Sequence, residues 1–479
     1  MDATLRALNG FGLGARPGER QRVGDPRGWL RAQLQGGAPV IAAPPEATPD
    51  AIRAALRAFR MAAQPQGTQD REMARQQARR RLVEIGAAEG RAALTARAAS
   101  SRPFVERLVA FWSNHFCVST GAKVLVAPLA GSYERDAIRP HVLGRFEDMV
   151  LASAKHPAML VYLDNFQSIG PRSRGAQSAR GRTRRGLNEN YARELLELHT
   201  LGVDGGYTQQ DVQELAKILT GWTVDGLRDG AGAPRRPQAR RGAAAPPGNA
   251  DPNDDSIAFA FQPALHEPGE KTVLATRYRE SGPDEGEQAI RALCRHPSTA
   301  RFVAGKLVAH FAGDAPPKSA VDRVATVFRE TDGNLRSVAG ALIDLPDAWS
   351  DGARKFRTPQ DWVVAVLRAF DGETVADLIM PTLRQLRHPL WSPGSPKGFG
   401  DTTQEWADPD SLLNRAELAR GIARRLRLPR DSGALDPRRL LDVVDVPEND
   451  PLRTLIADAS IAAEERIALA LAGPAFQWR

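Results

Sequence analysis

Apolar positions recur at helical spacing along most of the chain. Between Phe104 and Phe116, the residues Phe104, Leu108, Phe111, Trp112, His115 and Phe116 fall on one stripe of a 3.6-residue period. That stripe turns His115 inward with its apolar neighbours. The pattern continues from His141 to Asp164 and returns at Asn188, a good N-cap, with Glu189 in the first turn. This helix is predicted to run to about Leu201 and to stop at Gly202. Glu189, Arg193 and Glu197 stand at i, i+4 and i+8, an ion ladder on one side; Tyr191, Leu195 and Leu198 form the apolar side. His199 falls about 80° round from Tyr191 and also faces inward. Thr208 and Asp211 have capping-box spacing. Val212, Leu215, Ala216, Leu219 and Trp222 then make a stripe closed by Thr223. Phe259, Phe261 and Val273 flank His266-Glu267-Pro268-Gly269 as a short hairpin. Helical segments follow near 285–295, 298–312, 319–330, 334–345 and 358–371. Residues 388–401, rich in Pro, Gly and Ser, read as an ordered loop, and 410–472 as helix again.

Together these patterns predict a mainly α protein: a large multi-helix domain with short β-hairpin elements and two disordered arginine-rich insertions. The first insertion holds six arginines and no acid between Arg172 and Arg185. The second, residues 228–254, has five prolines and the pairs Arg235-Arg236 and Arg240-Arg241. Neither composition can bury a core. At 479 residues the chain is read as a single domain. It is divided into a peripheral helical layer (1–100), a motif-bearing core (101–227), the insertion 228–254 and a C-terminal helical part (255–479).

Charge adds little to this picture. Lys+Arg 65 against Asp+Glu 57 gives +8, with both signs interspersed, and the basic side is nearly all arginine. Two cysteines, Cys117 and Cys294, exclude a disulfide framework and a cysteine-rich zinc site. No apolar run reaches the ~18 residues of a membrane span. The opening residues lack a signal-peptide pattern, so cytoplasmic residence is the simplest expectation, with co-export beside a partner left open.

Polar chemistry concentrates between 102 and 226. The candidate catalytic set is His115, His199 and Glu194. The candidate binding set is Asn114, Asp164, Asn165, Asn188, Glu189, Asn190, Arg193, Glu197, Asp211, Trp222 and His266. Imidazole and carboxylate together suit zinc or iron, yet HExxH is absent and Glu194 and His199 are five apart, a poor same-face distance. Metal and cofactor therefore stay unassigned. No nucleophile elbow, P-loop or dinucleotide fingerprint occurs.

Four stretches resemble a bacterial family catalogued as domain of unknown function 1800. They are Phe111-Trp112-Ser113-Asn114-His115-Phe116; His156-Pro157-Ala158-Met159-Leu160 with Tyr162-Leu163-Asp164-Asn165; Asn188 through Val203; and Tyr207-Thr208, Asp211-Val212 with Leu219 to Thr223. The opening Ala7 to Gly18, His266 with Lys271, and the loop Pro396-Lys397-Gly398-Phe399 extend the likeness along nearly the full length. The resemblance implies a fold more than a function. It also implies a partner by association, since relatives are often encoded beside a sulfatase-like protein of a family numbered 1501.

Two functions from different classes follow. One is a hydrolytic or metal-assisted enzyme with its site between the 104–116 and 188–201 helices. The other is a non-catalytic scaffold that pairs with the sulfatase-like protein, its polar residues holding helices in register. The arginine-rich loops would suit an anionic ligand.

Overall fold

A computed structural model describes residues 2–62, 69–178, 186–225, 257–370, 378–426 and 437–479. The architecture is mainly α, as the apolar pattern predicts. All of the 228–254 insertion and the end of the 172–185 insertion lie outside the described residues.

Proline at the first helical position starts many of the helices, where its missing N–H is no loss. The residue before it then supplies the cap. Asp25, Thr358, Asp408 and Asp450 do this with side-chain oxygens. His156 and His296 do it with Nδ1, which accepts from Ala158 and Ser298. The sequence-level His156-Pro157 motif is therefore a helix start.

Helices at Pro49–Ala62 and Gln69–Ala99 pack on each other. The latter lies against the segment Val124–Leu129, where Gly86 lets the backbones close: a Cβ there would meet the Ala127 carbonyl at 2.6 Å. Segments at Pro103–His115, Pro283–Arg295, Pro297–Ala312, Lys318–Glu330, Leu335–Asp344 and Pro359–Ala369 match the expected helices within about two residues. The Pro409–Arg425 helix packs on Ala463–Ala472. Residues 5–15, assigned by sequence to an outer layer, are buried in the core instead, with Leu8 and Phe11 fully covered.

Three local expectations are corrected. The 188–201 helix is regular only over Asn190–Glu194; Leu195–His199 is wound as a π-turn, and the helix ends there. Trp222 and Thr223 close no helix: the preceding helix stops at Ile218, and β1 (Trp222–Val224) pairs antiparallel with β2 (Phe259–Phe261) across the long insertion. The hairpin lies later than 259–273, with β3 (Lys271–Val273) joined to β4 (Thr276–Tyr278) through Leu274 and Ala275, both at positive φ. Among the described residues, no helix is long and apolar enough to cross a membrane.

Candidate functional site

The inward stripe of Pro103–His115 and the Pro297–Ala312 helix face each other across a cavity of about 270 Å³. Leu13, Phe111, Val364, Leu390, Trp391 and Phe399 form its apolar wall. Lys306 and His310 stand one turn apart on one face of the Pro297–Ala312 helix, and both line the cavity.

Lys306 Nζ donates to His115 Nδ1 at 3.0 Å. His115 Nε2 donates in turn to the His199 carbonyl at 3.1 Å. The two partners fix the imidazole as the neutral Nε2–H tautomer. Burial, reinforced by Lys306 and His199, holds His115 well below the usual histidine range. Burial also brings Lys306 down to about 8. The two imidazoles expected to meet therefore do, with ring centroids 6.4 Å apart. Their roles differ, however: His115 lines the cavity, whereas His199 contributes a carbonyl and is held at about 3 by burial.

The opposite wall is ionic. Arg107 spans both oxygens of Asp361 at 3.1 and 3.2 Å, and Arg479 Nε reaches the same carboxylate at 3.1 Å. Burial raises the Asp361 pKa, but the two guanidiniums overcome it and hold the group below the carboxylate range. His310 Nδ1 lies 2.7 Å from Asp401. Burial lowers His310 to about 4 despite that carboxylate. Asp401 falls to about 2, because His310, Lys355 and Arg479 outweigh its own desolvation. Lys355 pairs with Asp314 at 2.6 Å. Behind this wall, Arg139 clamps Glu106 at 2.9 and 2.8 Å and also bonds Glu134, which Arg97 reaches at 3.0 Å.

The arch 388–401 completes the site. His388 packs face to face on Trp406, at 4.7 Å between centroids, and edge-on to Phe399. Its buried Nδ1 has no hydrogen-bond partner among the described residues. Arg387 and Trp391, on either side, both adopt positive φ, an uncommon conformation for such residues. Asn114 pins the arch by donating to the Phe399 carbonyl and accepting its N–H, both at 2.8 Å. Gly398 permits this approach, since a Cβ there would lie 2.5 Å from the Asn114 carbonyl. Cys117 donates to the Pro396 carbonyl at 3.2 Å, and burial pushes its thiol up to about 12.

Of the sequence-derived residues, only Asn114 and His115 line this cavity. Glu194 is half-buried and raised by desolvation and Glu197; its charge acts on Cys117 and Tyr162. Glu189, Arg193 and Glu197 form the expected ladder on a partly exposed face, at 3.3 and 3.6 Å, with Gln209 bonded to Glu189. Asn165 is buried and donates to the Leu219 and Trp222 carbonyls. Asn188 donates to the Leu163 carbonyl and accepts from the exposed Asn190. Asp164 pairs with Lys123 at 2.5 Å. Asp211 closes the capping box and accepts from Leu274. Trp222 is buried against Phe259. His266 joins Glu285 and Lys271 in a separate buried cluster. Arg172 of the first arginine-rich segment is engaged by Glu267 at 2.6 Å.

Lys306, His310, Asp361, His388 and Asp401 were not singled out by sequence, and Lys397 entered only as part of the Pro396-Lys397-Gly398-Phe399 loop motif. The signal for the first two was Phe302, Lys306 and His310 at i, i+4 and i+8 within an otherwise apolar helix. Among the described residues, no group of three or more His, Cys, Asp or Glu converges as a metal site would require.

No curated protein and no solved structure matches the chain. A family model described as "Protein of unknown function (DUF1800)" matches residues 6–478. With nearly its whole length inside that match, the chain belongs to the DUF1800 family.

Proposed function

We propose that the protein is an enzyme acting on a small organic molecule in this cavity, with Lys306 as its amine base or nucleophile and His115 as the group that orients it. The observation that carries this reading is Lys306 itself: a lysine lining the cavity beside its apolar wall, tied to a neutral imidazole, with no carboxylate paired to it among the described residues. Composition supports it. Lysine is scarce in this arginine-dominated chain, with eight in all, yet Lys306, Lys355 and Lys397 all line one cavity. Arginine would supply charge equally well but stays protonated, whereas a desolvated lysine can release its proton near neutral pH.

Competitive acetylation across pH tests this. Lys306 should label as a single accessible amine titrating near 8, against about 10.4 for exposed lysines. Titration with the exposed lysines, or no labelling of Lys306 at any pH, would overturn the reading.

A second reading, a helical scaffold for a sulfatase-like partner, draws support from Asn165, Asn188 and Asp211, which all hold turns and helix ends. It predicts that purified protein retains such a partner whether or not Lys306 is replaced.

A further inference from the structure

The cations around the cavity are not equivalent. Arg97 is matched by Glu134, Arg107 by Asp361, and Lys355 by Asp314. Two lining cations, Lys306 and Lys397, have no carboxylate partner among the described residues, and they repel each other closely enough for Lys397 to depress Lys306. They are also held differently. Lys306 is fixed on a helix by His115. Lys397 is exposed at the rim, on an arch that Asn114 and Cys117 fasten to the Pro103–His115 helix. An inner amine and a rim ammonium, with an apolar wall between them and a volume of about 270 Å³, select a compact ligand. Its anionic end belongs at the rim and its electrophilic centre further in.

We propose that the cavity takes a small 2-oxo acid, whose carboxylate pairs with Lys397 and whose carbonyl carbon is attacked by Lys306. This rests on the reading of Lys306 given above and adds the substrate class. The neutral Lys306 nitrogen gives its lone pair to the carbonyl carbon, and the C=O electron pair moves to oxygen, which gains a proton. The resulting carbinolamine loses that hydroxyl as water, and the nitrogen's proton is released as the C=N bond forms. No oxidant or reductant is consumed. His310 lines the same cavity one turn along the same helix face, with Nδ1 tethered to Asp401, and is the imidazole assigned to carry the proton between nitrogen and oxygen. Arg479 Nη2 lies 3.4 Å from both ring nitrogens of His310.

The full chain, incubated with pyruvate and sodium cyanoborohydride, should gain one reduced adduct, located by peptide mass spectrometry on Lys306. Acetone, of similar size without the carboxylate, should label at least about tenfold less. Lys397→Ala should lower the pyruvate yield about tenfold more than the acetone yield, the loss of one ion pair worth about 1.4 kcal/mol, with acetone reporting the change in Lys306 basicity that loss of the neighbouring charge brings. Mapping in the unmutated chain makes the result independent of whether a Lys306 variant folds. Adducts spread over exposed lysines, or pyruvate labelling indifferent to Lys397, would overturn the proposal. If acetylation finds Lys306 accessible near pH 8 and pyruvate still leaves no adduct, the substrate class falls and the amine reading stands. If acetylation finds Lys306 silent, both fall.

Discussion

The molecule holds two lysine–histidine pairs of nearly equal geometry and opposite character. Lys306 meets His115 Nδ1 at 3.0 Å beside the cavity. Lys271, at the start of β3, meets His266 Nε2 at 3.2 Å in the buried interior. One carboxylate separates them. Glu285 lies 3.0 Å from His266 and 3.1 Å from Lys271, and the Lys271 ammonium also donates to the Glu267 carbonyl at 2.6 Å. Every partner in that cluster is buried, and none lines the cavity. It is a sealed polar junction that ties β3 to the Pro283–Arg295 helix. Around Lys306 no carboxylate among the described residues balances the charge, and the cavity takes its place. The comparison teaches that residue types do not distinguish a structural polar cluster from a reactive one. What distinguishes them is whether the charge is answered from within the fold.

The strongest way to break the comparison is to remove the answering charge. Glu285→Ala should cost about 4 kcal/mol in urea unfolding, because it strands the Lys271 ammonium in the interior. A loss below about 1 kcal/mol would mean that the cluster is not ionic. Removing the unanswered charge should act in the other direction. Lys306→Met should stabilise the protein by about 2 kcal/mol at pH 7, measured in the same way. The sign follows from linkage. Lys306 is depressed to about 8 in the folded chain and returns to about 10.4 on unfolding, so the unfolded state binds the extra proton between those values. The penalty is full below pH 8 and fades as pH rises towards 10.4, so the unmutated chain should gain stability over that window. The variant should lack that component of the slope. The smallest effect concerns the arch. Asn114→Ala removes two hydrogen bonds to Phe399 and should cost about 1 kcal/mol, with faster amide exchange confined to 395–400. The sealed junction has no such detachable wall, so its exchange should not change.

Much of this was legible from local pattern. The stripe from Phe104 to Phe116, the ladder Glu189–Arg193–Glu197 and the Thr208–Asp211 cap depend on neighbours within one or two helical turns, and each formed as its spacing implied. The inward histidines were legible for the same reason, both being 2% exposed. Their division of labour was not. It depends on Lys306, which is 191 residues from His115 in sequence, and no periodicity reports a contact at that range. The pairing of β1 with β2 across the insertion was hidden likewise, because Trp222 continues the apolar stripe of the helix before it. The site was only half legible. Asn114 and His115 carried their own signal, whereas His310, Asp361 and Asp401 become informative only once folding shows which charges neutralise one another.

The π-turn at Leu195–His199 has a consequence at the cavity itself. A helix end leaves its last carbonyls without intrahelical partners, and the carbonyl that His115 uses belongs to the last residue of that turn. The place where the spiral stops thus decides which nitrogen of a neighbouring ring keeps its hydrogen, and so which edge that ring offers to the amine beside it.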